Sequence, residues 1–311
     1  RRKTNGRRTH GKSCMSLRAE LLRLGVRWFI KRRGPHRTIE EARQRMRAAA
    51  AWVPHAPKGT VTIAVDAGGV PADRIATRTS RPDHNVLYLH GGGYVTGSPS
   101  LYRHFTRRIA TVTRATVLAI DYRLAPEHPF PAALDDAVAA YRWLLDNGAN
   151  PRRTMFIGDS AGGGLALAAL LKLRDDDTPL PAAVAALSPW TDLALSGWSL
   201  SLNAQSDPML NVEDARLFAA CYLAGADPRS PYASPLYGDP AGLPPTLIHV
   251  GSDEILLDDS VRMADRLRAK GRNIELEIWP RMPHVWHLFA PVLPEARQAI
   301  ARIGAFAQRW L

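Results

Sequence analysis

The run Gly158-Asp159-Ser160-Ala161-Gly162-Gly163 sets a serine between glycines at the spacing Gly-x-Ser-x-Gly. An apolar stretch, Met155–Ile157, precedes it, and a helical pattern over 160–174 follows, so the serine falls at a strand-to-helix turn. A turn this tight has no room for side chains at both flanking positions. It holds the serine in a strained conformation with the hydroxyl raised above the sheet. The helix that opens at Ser160 aims free N–H groups, and the positive end of its dipole, at any anion forming beside that hydroxyl. The chemistry this suits is nucleophilic acyl transfer.

A second constellation, His90-Gly91-Gly92-Gly93-Tyr94, stands at the end of the apolar run Val86–Leu89. Consecutive glycines expose backbone N–H groups, and acyl transfer needs such donors where charge develops on the carbonyl oxygen. A phosphate cradle is the competing use, but no Lys-Ser/Thr follows and the Rossmann spacing is missing. A serine nucleophile also needs a base, and the base an orienting acid, both downstream in this chain order. His249 sits in an apolar strand pattern and reads as core. His284, in a loop after the last strand, is the favoured base; His287 lies three residues on. Asp253 follows the strand Leu247–Val250 and is the leading acid, with Glu254 its nearest competitor. Asp258 and Asp259 fall on the next helix, where they suit its first turn.

The elements that must carry these residues alternate. Apolar strand runs at Val86–Leu89, Thr116–Ile120, Met155–Ile157, Val184–Leu187, Leu247–Val250 and Ile274–Ile278 are separated by helical patterns near 101–112, 131–147, 160–174, 256–270 and 294–310. Buried strands alternating with helices predict an α/β fold, a mostly parallel sheet with helices on both faces. Thr60–Val65 and Ala72–Thr77, joined through Gly68-Gly69, predict a hairpin that adds an antiparallel edge. Helical patterns at Leu17–Ile30 and Ile39–Trp52 come first, and the chain changes character at Pro54 and Pro57. Residues 190–235 break the alternation, with a short helix near Glu213–Leu223, and suit an insertion over the site. The expected organisation is a basic tail over 1–14, N-terminal cap helices over 15–52, and one large α/β domain over 53–311.

The net charge of +12 over 311 residues is localised. Residues 1–48 hold sixteen Lys/Arg against three acids, and the rest of the chain twenty-five against twenty-six. No base-stacking aromatics are interleaved in the basic segment, so nucleic acid is not an expected partner. A basic arm can contact a membrane surface, and the helix at Leu17–Ile30 is amphipathic, with charges that exclude a spanning segment. The first methionine is Met15, and residues 1–14 are read as an extension outside the fold. Cys14 and Cys221 form no framework and suit a reducing, cytoplasmic setting. With no Cys/His cluster at ligand spacing, no metal or other cofactor is expected.

Several motifs in order make the chain resemble the hormone-sensitive-lipase-like, bacterial group IV esterases of the α/β-hydrolase fold. They are His90-Gly91-Gly92-Gly93, Asp121-Tyr122-Arg123-Leu124-Ala125-Pro126-Glu127, Gly158–Gly163, Ser206-Asp207-Pro208, Ser234-Pro235-Leu236, Asp253-Glu254-Ile255-Leu256 and Met282-Pro283-His284. The resemblance runs from about Ala51 onward, and the N-terminal helices suit that family's cap. It implies a triad of Ser160, Asp253 and His284, oxyanion donors at the amides of Gly92, Gly93 and Ala161, and hydrolysis of short- to medium-chain esters or lactones without a cofactor. It also implies a structural task for the Asp121–Glu127 run. Tyr94, Met209, Leu210, Val285 and Trp286 flank the catalytic strings and are candidate pocket residues. An amidase or peptidase could use the same triad, and a ligand-binding protein could use the same fold. The strand Ile274–Ile278 reads as an edge, so the expected state is a monomer or a homodimer.

Overall fold

The computed structural model describes residues 16–50 and 59–311. The basic stretch 1–14 with Cys14, and the prolines at 54 and 57, lie outside the described residues. Two N-terminal helices, α1 (Leu17–Phe29) and α2 (Ile39–Ala50), precede a hairpin of β1 (Thr60–Asp66) and β2 (Pro71–Thr77). Then come β3 (Arg81–Leu89), α3 (Pro99–Thr113), β4 (Ala115–Ile120), α4 (Ala132–Asp146), β5 (Thr154–Asp159), α5 (Ala161–Asp175) and β6 (Ala183–Leu187). The insertion carries α6 (Ser199–Leu202) and α7 (Val212–Leu223). The chain closes with β7 (Thr246–Gly251), α8 (Leu257–Ala269), β8 (Ile274–Trp279) and α9 (Pro294–Trp310).

Eight strands form one sheet in the order β1-β2-β4-β3-β5-β6-β7-β8. From β4 to β8 every pairing is parallel, while β2 pairs antiparallel with both β1 and β4. The hairpin therefore joins the sheet through β4, and β1 and β8 are the edges. β4, β5, β6 and β7 are buried at every position, which explains their unbroken apolar runs: both faces are covered. α3 and α9 bury Phe105, Ile109, Ile303 and Phe306 on one face. α4, α5 and α8 bury Tyr141, Leu165, Leu170, Met263 and Leu267 on the other.

The parallel arrangement brings the carboxyl ends of β3, β5, β6, β7 and β8 side by side, and the loops leaving them meet along that edge. Asp259, fully buried on α8, holds the start of the insertion there: its Oδ2 accepts the amides of Thr191 at 2.7 Å and Asp192 at 2.8 Å. Burial and the neighbouring Asp192 carboxylate push Asp259 up to about 8. Its proton is thus kept in the folded chain but lost near pH 4 on unfolding. The folded state binds the extra proton between these limits, so this contribution to stability shrinks as pH rises from about 4 to about 8. Asp259→Asn removes the titration and keeps an acceptor for both amides. The difference in Tm between wild type and this variant, measured from pH 6.5 to 9, is expected to move in the variant's favour with rising pH; a constant difference would contradict it.

Candidate active site

Ser160 stands between β5 and α5 with φ 54° and ψ −123°, a region that side chains avoid. It is fixed from both sides: its N–H donates to Leu187 O at 2.8 Å, and its carbonyl accepts from Gly163, Gly164 and Trp190 at 2.9–3.1 Å. The flanking glycines are sterically required. A Cβ on Gly158 would run into the Gly162 carbonyl, and one on Gly162 into the carbonyls of Leu89 and His90. Along 154–173, every residue from Thr154 to Leu171 is buried except Ser160, which stays partly accessible. The elbow thus raises one hydroxyl out of an otherwise closed strand and helix.

The glycine loop after β3 lies against this elbow. Gly92 and Gly93 adopt φ of 123° and 64°, open to glycine and strained for other residues. Neither spends its N–H on an acceptor among the described residues. The preceding amide does: Gly91 donates to Asp159 Oδ1 at 3.0 Å. Asp159 is fully buried and also accepts from Tyr88 Oη at 2.5 Å and Tyr102 Oη at 3.3 Å. Burial lifts its carboxyl to about 6, held down from going further by Tyr88 and the other donors. The residue before the serine therefore ties the glycine loop to the elbow. His90 is buried against Tyr122, rings 4.2 Å apart, and Tyr122 Oη donates back to the His90 carbonyl.

His284, in the loop after β8, is buried, and its Nδ1 lies 2.7 Å from Glu254 Oε2. Burial alone would lower His284; the facing Glu254 carboxylate outweighs that, and the ring is raised above its ordinary value. Glu254 is itself fully buried, and its Oε1 accepts from Gly251 N at 2.6 Å and Ser188 Oγ at 2.7 Å. Ser188 Oγ in turn accepts from Val285 N at 3.3 Å, next to the histidine. Asp207 ties in the insertion, accepting from Met209, Leu210 and Ile255 amides at 2.8–2.9 Å.

The expectation for Asp253 requires correction. Its carboxylate points away from His284 and pairs with Arg23 of α1 at 3.0 Å. The turn after β7, closed by Glu254 N donating to Gly251 O, sends adjacent side chains to opposite sides. The longer glutamate goes inward and the aspartate outward to the N-terminal helix. Trp286 is corrected too: it is wholly buried among Trp279, His249 and His287 and lines no open space. Tyr94 is likewise buried, stacked on Tyr222 of α7 at 3.8 Å. Val285 is buried in the loop that carries His284, while Met209 and Leu210 are half-buried in the turn held by Asp207. His249 and His287 bond to one another at 3.0 Å in the core. The Asp121–Glu127 run is braced by Arg123 on Asp136 and by Arg43 of α2, which grips Glu127 with two bonds of 2.6 Å.

Sequence reasoning did not anticipate Ser188, the tie made by Asp159, or Phe218 of α7, whose ring edge lies directly over Gly93. Only Asp159 carried a signal, as an acid flanked by the candidate nucleophile and an apolar strand.

A family model described as the α/β-hydrolase fold matches residues 86–288, a span that contains the glycine loop, the elbow and the Glu254–His284 pair. The chain belongs to the α/β-hydrolases, in their hormone-sensitive-lipase-like branch. It is 49% identical to an acetyl-hydrolase of Streptomyces hygroscopicus over 76% of this chain and 83% of that protein. An esterase crystal structure described as from the bacterial hormone-sensitive lipase family superposes with TM-score 0.90 at 45% identity, covering 96% of this chain and 99% of that one. A second esterase, crystallised and soaked with p-nitrophenyl butyrate, gives TM-score 0.90 at 42% identity over 95% and 99% of the two chains. This α/β-hydrolase is a carboxylic ester hydrolase.

Proposed function

We propose that this carboxylesterase cleaves short-chain acyl esters through an acyl-enzyme on Ser160. The observation that carries the reading is the accessible serine of a strained elbow on the same sheet edge as a buried His284–Glu254 pair. His284 takes the Ser160 proton as the oxygen attacks the ester carbonyl, and Glu254 holds the imidazole tautomer and stabilises the imidazolium. The amides of Gly92, Gly93 and Ala161 receive the oxyanion. His284 then protonates the leaving alcohol and activates the water that frees the acid. α1, α2 and residues 190–235 serve as a cap in this reading, with Arg23 and Arg43 as its clamps.

Short acyl groups are favoured by the aromatic rings crowding the glycine loop: Phe218 over Gly93, and the Tyr94–Tyr222 stack beside it. The relatives' names, an acetyl-hydrolase and an esterase soaked with a butyrate ester, point the same way. Cys221 as a free thiol fits a cytoplasmic setting. The open edge of β8 leaves a homodimer available beside a monomer. The test is kcat/KM on 4-nitrophenyl esters from acetyl to palmitoyl, with matched anilides. The expected profile peaks between acetyl and hexanoyl and falls at least about tenfold by palmitoyl, with anilides far slower. A palmitoyl optimum would reverse the acyl assignment, and efficient anilide cleavage would replace the ester reading with an amidase.

A further inference from the structure

α1 has two apolar sides, and the protein uses one. Ala19 and Val26 are buried, and Leu22 packs against the core cluster that holds Ala19, while Ser16 anchors the helix start on Glu295 of α9 at 2.9 Å. Arg23, Arg27 and Lys31 grip the insertion, donating to the carbonyls of Ser206, Gln205 and Ala204. On the opposite side, Leu17, Leu21, Leu24 and Trp28 recur at intervals of four, three and four residues, which places them on one face. All four are more than half exposed, at 76%, 61%, 58% and 56%. The gripped segment follows α6, and Leu202 at the end of that helix and Trp198 just before its start are each 76% exposed. Isolated exposed leucines are ordinary, but a continuous stripe with tryptophan is not.

Charge decides what this stripe fits. The helix and the turn after it supply Arg18, Arg32 and Arg33 around the apolar face, with Arg32 lying over the Trp28 ring at 5.9 Å. The one acid of α1, Glu20, is already paired with Arg281. A second copy docked through a twofold axis would set these cations against themselves with no carboxylate to answer them. A lipid surface bearing anionic headgroups answers them all: the leucines and Trp28 enter the acyl boundary and the cations stay with the phosphates. The sequence balance agrees, since the first 48 residues hold the entire positive excess.

We propose that the outer face of α1 docks the enzyme on anionic phospholipid bilayers. The contact lies on the helix clamped to Asp253, so the protein would present its capped edge to the membrane. The experiment is flotation of the full chain with phosphatidylglycerol–phosphatidylcholine vesicles and with pure phosphatidylcholine vesicles, following Trp fluorescence and adding salt. Binding is expected only with the anionic lipid, with a blue shift, and to weaken with salt. Leu21→Asp combined with Leu24→Asp should lower the partition coefficient at least about tenfold, with turnover of soluble 4-nitrophenyl acetate unchanged as the control for folding. A variant lacking residues 1–14 should still bind and still respond to the leucine changes. Equal binding to both lipids, binding that survives the leucine changes, or binding that vanishes with residues 1–14 alone would each overturn the proposal. So would a stable dimer in sedimentation that the leucine changes dissociate.

Discussion

Ser160→Ala is expected to lower kcat/KM for 4-nitrophenyl acetate by about 10⁵–10⁶-fold, the scale seen when a hydrolase loses its nucleophile outright. The fold should not register the change. Alanine keeps the Cβ, so it meets the same unfavourable φ of 54°, and the bonds that hold this turn, from Ser160 N to Leu187 O and from three amides to Ser160 O, are all backbone. Melting of the variant should therefore lie within about 1 kcal/mol of wild type. Ser160→Gly separates strain from chemistry. It is equally inactive, yet it releases a conformation costing about 1–3 kcal/mol for a side-chain residue, less the roughly 0.5–1 kcal/mol entropic penalty of glycine. It should melt above Ser160→Ala. Retention of more than about 1% of activity by the alanine variant would remove Ser160 from the mechanism, and a glycine variant less stable than the alanine one would mean the elbow stores no strain.

What made the elbow legible is that its constraints are steric and local. Gly158 and Gly162 are demanded by carbonyls within a few residues or on the adjoining strand, so the requirement is written as composition. The glycine loop is legible for the same reason, through positive φ at Gly92 and Gly93. The alternation of strands and helices follows from a sheet covered on both faces, and the structure moves the ends of those runs by a few residues at most, with the largest change the five residues added to the start of β3. The hairpin was readable as a hairpin, but its attachment to β4 was not, because nothing local encodes which edge a returning chain will meet. The acid illustrates the same limit. Asp253 and Glu254 are neighbours of like chemistry, and what separates them is Arg23, 230 positions away, and Ser188, 66 positions upstream at the end of the adjoining strand β6. Trp286 misleads for a related reason: adjacency to His284 in the chain places it across the loop, facing the core. The exposed face of α1 was visible as amphipathicity, but which of its two apolar sides would be covered depended on α9 and the insertion.

Glu254→Gln is expected to cost about 10³–10⁴ in kcat/KM, comparable to neutralising the acid of a serine triad, while Asp253→Asn should stay within about fivefold of wild type. The glutamine is isosteric and can still accept from Gly251 N and Ser188 Oγ, so the loss is assigned to the tautomer and charge of His284 and not to a displaced loop. The pH profile gives an independent readout. Burial would lower His284, and the Glu254 carboxylate holds it above its ordinary value; in the proposed mechanism His284 acts as base only when neutral. Activity of the wild type must then fall as pH drops through the raised value. Removing the Glu254 charge lets burial dominate, lowers the histidine, and moves the acid limb of kcat/KM to lower pH; Asp253→Asn leaves that limb in place. Asp253→Asn should instead loosen the clamp between α1 and the β7 turn, since the 3.0 Å contact of Arg23 Nη2 loses its negative charge and keeps at most a neutral acceptor. That change belongs in KM and in the protease sensitivity of the N-terminal helix. If Asp253→Asn produced the thousandfold loss and the shifted limb while Glu254→Gln did neither, the acid would be Asp253 and the loop would have to rearrange when substrate binds.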